Sequence, residues 1–107
     1  MQVRRDQRFL VHFHSVFSGP TLSESFGTIL NLSEGGCCLL TDSQVHAGML
    51  LTLHLHVTDE ASPIHIEKAA VRWTRGPELG VGFLTVTPPH QERLGQLLAR
   101  FKGEHQT

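Results

Sequence analysis

The chain lacks most of the features that mark a catalytic, secreted or membrane-spanning protein. Its only two cysteines, Cys37 and Cys38, are adjacent. Neighbouring residues on a strand point to opposite faces, so a bridge between them would be strained, and both are read as reduced thiols. No Cys-x-x-Cys or His-Glu-x-x-His is present to hold a metal. No Gly-x-Ser-x-Gly or phosphate-binding loop is present to organise catalysis. The opening Met-Gln-Val-Arg-Arg-Asp has no apolar signal core behind its charges, and the longest apolar runs are broken by His, Ser or Gly well short of a bilayer span. A cytoplasmic, non-enzymatic protein without direct membrane insertion is the expectation. Charge of one sign is missing too: the formal net charge is −1, with no long basic stripe, which disfavours a nucleic-acid polymer as partner. Neither repeats nor low-complexity tracts are visible.

What is present is a globular composition, 39% apolar and 18% charged over 107 residues, enough for one core and too little for two domains side by side. From Phe9, residues Phe9, Val11 and Phe13 alternate with Leu10, His12 and His14, a period of two that predicts a half-buried strand. Ser18-Gly19-Pro20 breaks it. Phe26 to Leu30 predicts a second strand and Cys37 to Thr41 a third, with Asn31-Leu32-Ser33-Glu34-Gly35-Gly36 as the turn between them. Leu51, Leu53, Leu55 and Val57 alternate with Thr52, His54 and His56 in the clearest strand of the chain. Ile64 and Ile66 share one parity while Val71 and Trp73 share the other, which predicts a bulge near Lys68 to Ala70. After the Gly76-Pro77 turn, Val81 and Phe83 mark a sixth strand. Thr87 then caps a helix with Pro88 in its first position, Leu94, Leu97, Leu98 and Phe101 form its apolar stripe, and Gly103 ends it. The expected fold is all-β, a six-stranded antiparallel barrel with one C-terminal amphipathic helix.

Two motifs carry the chemistry. Arg4-Arg5-Asp6-Gln7-Arg8 fits Arg-x-x-x-Arg, and Asn31-Leu32-Ser33-Glu34-Gly35-Gly36 fits Asp/Asn-x-Ser-x-x-Gly. A guanidinium fork gives two parallel hydrogen bonds to a phosphate or to guanine O6 and N7, or lies flat on a purine. Ser33 and Asn31 offer a hydroxyl and an amide, and Gly35 and Gly36 let backbone approach closely. Three of the nine basic side chains, Arg4, Arg5 and Arg8, fall in the first eight residues, a cationic arm suited to a compact dianion.

In this order, flanking the first two strands of a barrel, the motifs resemble the signature of the PilZ domain. The resemblance spans roughly residues 4 to 101, since Trp73 near the end of the fifth strand and Gly80-Val81-Gly82-Phe83 also look like the family pattern. It implies a receptor for the bacterial second messenger cyclic di-GMP, contacted by Arg4, Arg5, Arg8, Asn31, Ser33, Gly35, Gly36 and Trp73. It also implies that no metal or cofactor is needed and that a protein effector reads the bound state. The expected organisation is an N-terminal arm over residues 1–8, a single barrel domain with its helix over 9–103 and a tail over 104–107, as a monomer or homodimer. Asn31 stands where an Asp would accept stronger bonds from guanine N–H groups. Two other readings are a nucleotide-independent interaction module on the same barrel, in motility or envelope machinery, and a metal-binding barrel built on the pairs His12/His14 and His54/His56, each of which projects from one face of a strand.

Overall fold

The computed structural model describes residues 7–58 and 60–105, with side chains through residue 103. Six strands, β1 (Phe9–Gly19), β2 (Leu22–Leu32), β3 (Gly36–Leu40), β4 (Leu50–His56), β5 (Ile64–Arg75) and β6 (Glu78–Thr85), precede one helix, α1 (Pro88–His105). The strands close into an antiparallel barrel in the order β1-β2-β3-β6-β5-β4, with β1 pairing β4 to complete it. Closure removes the sheet edges that would otherwise present unpaired backbone groups.

Alternation puts Phe9, Phe13 and Phe17 of β1, Ile29 and Leu32 of β2, Leu51, Leu53 and Leu55 of β4, and Val81 of β6 inside. Helix α1 closes one end of this core. Thr87 offers its carbonyl to the N–H groups of His90 and Gln91, starting the helix where Pro88 tolerates the missing donor. Leu94 and Leu97 then drop into the barrel, and the Phe101 ring lies 5.8 Å from Phe9 and 6.1 Å from Phe13. Arg93 ties the helix to the β4–β5 connection, donating to the carbonyls of Ser62 and Pro63 and pairing with Glu60 at 3.1 Å.

Three local expectations differ from the structure. β2 begins at Leu22 rather than at Phe26, because pairing with β1 runs back to the Gly19–Leu22 turn through residues without clear alternation. The helix continues through Gly103 to His105, a single glycine costing only about 1 kcal/mol in a helix interior. The bulge near Lys68 is present, but β5 has a second register shift between Val71 and Trp73. That shift turns Trp73 outward, 43% exposed, while Val71 stays in the core.

Candidate functional site

The turn between β2 and β3 is built by its own side chain. Ser33 donates its hydroxyl and its N–H to the Gly36 carbonyl, at 3.2 and 2.9 Å, and is fully buried beneath the turn. A Cβ on Gly36 would strike the Val81 carbonyl of β6, so glycine is required here for β3 to approach β6. Ser33 and Gly36 therefore shape the turn, and the exposed Glu34-Gly35 tip is what faces outward.

Beside this turn Arg8 Nη1 donates to Asn31 Oδ1 at 2.8 Å, joining two motifs 23 positions apart. The contact follows from register: Phe9 opposes Leu32 and both point inward, so Arg8 leaves β1 beside the turn, and Asn31 projects outward. Arg4 and Arg5 lie outside the described residues.

Register also connects Asn31 to Trp73. Across the outer face of four successive strands, Asn31 of β2 pairs Cys38 of β3, Cys38 pairs Gly80 of β6, and Gly80 pairs Trp73 of β5. Asn31 and Trp73 thus stand three strand spacings apart, about 14 Å along the sheet, over a floor of small residues. The indole lies across Gly80, where a Cβ would collide with it, and the Arg75 guanidinium sits 5.7 Å from the indole centroid. One row along, Gly36 pairs Gly82, extending the low floor. The Cys38 thiol belongs to this floor and Cys37 to the core. Burial pushes the Cys37 thiol up to about 12, with a further push from Cys38. Burial also raises Cys38, as does Glu78, while Arg8 and Arg75 act in the opposite direction. Both thiols are therefore neutral and poor nucleophiles at physiological pH.

A cleft of about 200 Å³ adjoins the turn, lined by Gln7, Phe9, Glu34, Gly95, Leu98 and Lys102 among others. It brings the end of the arginine arm against α1. The geometry thus assembles Arg8, Asn31, the Ser33–Gly36 turn and Trp73 around one shallow tray. Cys38, Gly80 and Gly82 also belong to it, although neither of the two sequence motifs marks them. Their signal is the cross-strand register, which alternation within single strands does not reveal.

The histidines occupy a different face. His14 opposes His56, His54 opposes His65 with ring centroids 4.6 Å apart, and the His65 N–H donates to His90 Nδ1 at 3.0 Å. Among the described residues no group of three or more His, Cys, Asp or Glu is placed to hold a metal ion. No helix among them is long and apolar enough to cross a membrane.

Comparison with known proteins agrees with the geometry. Residues 2–100 match the family model described as "PilZ domain", a family of non-catalytic modules. No curated protein matches the chain. Among solved structures, the inhibitor of motility MotI/DgrA of Bacillus subtilis superposes with a TM-score of 0.78 at 19% identity, over 97% of this chain and 53% of that one. The PilZ domain of Escherichia coli YcgR with c-di-GMP gives 0.77 at 17% identity, over 97% and 95%. The K. pneumonia MrkH–c-di-GMP complex gives 0.74 at 20% identity, over 99% and 54%. The chain spans about half the length of MotI/DgrA and of MrkH. At these identities the superpositions establish a shared fold, whereas the family model covers nearly the whole sequence, and the chain belongs to the PilZ domain family.

Proposed function

We propose that this domain is a cyclic di-GMP receptor module. The observation that carries the reading is the 2.8 Å bond from Arg8 to Asn31, which brings the arginine motif and the Asn-x-Ser-x-x-Gly motif to one edge of the tray. Asn31 holds the Arg8 guanidinium while leaving most of its five donors for phosphate or for guanine O6 and N7. The outer face at Cys38 gives a planar base room to lie against the sheet, and the Trp73 indole, seated over Gly80, supplies an aromatic face at its far side. Arg4 and Arg5, of the same sequence motif, supply further guanidinium donors for phosphate or guanine. YcgR and MrkH, whose structures hold c-di-GMP, support the same assignment through their shared fold.

Signal output runs through the arm. Gln7 lines the cleft against α1, and Phe9, the residue after Arg8, packs on Phe101 of that helix. Messenger that pulls the arm onto the tray thereby changes the surface shared by arm and helix, which a protein effector reads. This requires the ligand to bind the closed-arm state more tightly than the open one. Titration calorimetry with cyclic di-GMP, using GTP and cyclic di-AMP as controls, tests the assignment. Selective, saturable binding is expected, weakened by about 1.5–3 kcal/mol in Arg8→Ala, the value of one charge-assisted hydrogen bond. Absence of binding at high micromolar messenger would overturn it and leave a PilZ-fold interaction module.

A further inference from the structure

The outer face of β6 carries no side chain at Gly80 or Gly82, and β5 fills both positions. Trp73 covers Gly80. Arg72 covers Gly82, its Nε 2.6 Å and its Cζ 3.3 Å from the point a Cβ would occupy. Successive strand residues normally face opposite ways. Here the register shift between Val71 and Trp73 turns both Arg72 and Trp73 outward, so that an arginine and a tryptophan lie side by side over two glycines. Bulges re-aim side chains in this way.

The Arg72 guanidinium is directed toward the tray and makes no hydrogen bond or ion pair with any described residue. Gly82 pairs Gly36, so the guanidinium over Gly82 lies about one strand spacing, roughly 5 Å, from the end of the Ser33–Gly36 turn. The Arg8–Asn31 bond stands on the opposite side of that turn. Arg75, on the other flank of Trp73, adds a second cation to the β5 side, and its exposed pairing with Glu78 at 3.9 Å is too long and too wet to hold it. The thiol of Cys38 on the floor feels positive charge from Arg8 on one side and Arg75 on the other.

We infer that Arg72, with Trp73 and Arg75, forms a second binding wall of the tray, seated on Gly80 and Gly82 and facing Arg8 and Asn31 across Cys38 and Gly36 of β3. Arg72 is then a ligand-contacting residue that takes the phosphate or guanine edge on the β5 side. This inference rests on the messenger reading and sharpens it: a ligand with charge or guanine at both ends, such as a dinucleotide, engages both walls, while a mononucleotide engages one. The glycines at 80 and 82 are part of the recognition because any Cβ there would lift the wall off the sheet.

Trp73 is the only tryptophan of the chain, so its fluorescence reports ligand at this wall. Cyclic di-GMP is titrated into the full chain and into Arg8→Ala, Arg72→Ala, Arg72→Lys and Gly82→Ala variants, each first shown to melt cooperatively. Arg72→Ala should weaken binding roughly ten- to a hundredfold, the loss of one charge-assisted bond. Arg72→Lys should recover little of this, because an ammonium lacks the planar fork. Gly82→Ala keeps the charge but displaces the guanidinium, and should weaken binding in the same direction. The Arg72→Ala/Gly82→Ala double variant should bind no more weakly than Arg72→Ala alone, since both act on one group. If the wild-type chain binds and Arg8→Ala loses affinity while Arg72→Ala and Gly82→Ala stay within twofold of wild type, the second wall is refuted and the messenger reading stands. If the wild-type chain does not bind, the messenger reading fails and this inference fails with it.

Discussion

Replacing Gly80 by alanine tests whether the β6 floor holds Trp73 in place. A methyl group at this position would overlap three atoms of the indole ring, Nε1, Cε2 and Cδ1, and cannot be accommodated without moving it. Trp73 is 43% exposed, so a little over half of it is covered. A tryptophan buries about 150–250 Å² in full, so the covered part amounts to roughly 100 Å², or about 2.5 kcal/mol at 25 cal/mol/Å² as an upper bound. Losing half of that contact costs about 1 kcal/mol, and an off-rotamer indole adds about 0.5–1.5 kcal/mol if the ring stays near the sheet. The expected destabilisation is therefore about 1–2.5 kcal/mol, read as a lowered urea midpoint with an unchanged slope. The sole tryptophan should emit further to the red as it moves into water. If the ring is the aromatic face of the tray, messenger affinity should fall by about 1–3 kcal/mol, the value of one base–aromatic stack. Wild-type emission, midpoint and affinity together in Gly80→Ala would refute the argument that this glycine seats the indole.

Ser15 is fully buried and its hydroxyl has no hydrogen-bond partner among the described residues. Ser15→Ala should therefore raise stability by about 1 kcal/mol in urea denaturation, and a loss of stability would reveal a partner for that hydroxyl. Leu94 is 1% exposed where α1 enters the barrel. Leu94→Ala should cost about 2–5 kcal/mol, and a cost below about 1 kcal/mol would show that the helix does not seal the core. The pKa of His54 is lowered by burial first and by His65 and His56 next, with Glu24 opposing. Its stabilising contribution is thus fully present above the ordinary histidine value of about 6.5 and is lost as pH falls toward the lower folded value, because the unfolded chain binds the proton more readily. Melting temperature should drop between pH 7.5 and 5.5, and by less in His54→Gln. Equal drops in the two proteins would contradict the assignment to His54.

Much of the fold is legible residue by residue because burial follows a period of two. Leu51 to Val57 shows it without interruption, and Leu94, Leu97, Leu98 and Phe101 show the helical period equally plainly. Alternation counts parity along one strand, however, and a bulge resets parity. For that reason Val71 and Trp73 read as one face in the sequence and occupy two in the structure. The same reset turns Arg72 outward beside Trp73, which no single-strand pattern signals.

The candidate site divides along the same line. Sequence alone determined its chemistry: the arginines of the arm, the Asn31–Gly36 turn and an aromatic downstream are residue types whose donors and shapes suit a guanine dinucleotide wherever they lie. Only the tertiary structure decided their arrangement. Strand order placed β3 and β6 between β2 and β5, which set Cys38 and Gly80 in one row between Asn31 and Trp73 and left Gly80 and Gly82 as seats for Trp73 and Arg72. It also gave Ser33 and Gly36 a part in shaping the turn, since the Ser33 hydroxyl donates to the Gly36 carbonyl and a Cβ on Gly36 would strike the Val81 carbonyl. The physical reason is that side-chain chemistry is a local property, while adjacency across a barrel is set by hydrogen-bond register between segments distant in the chain.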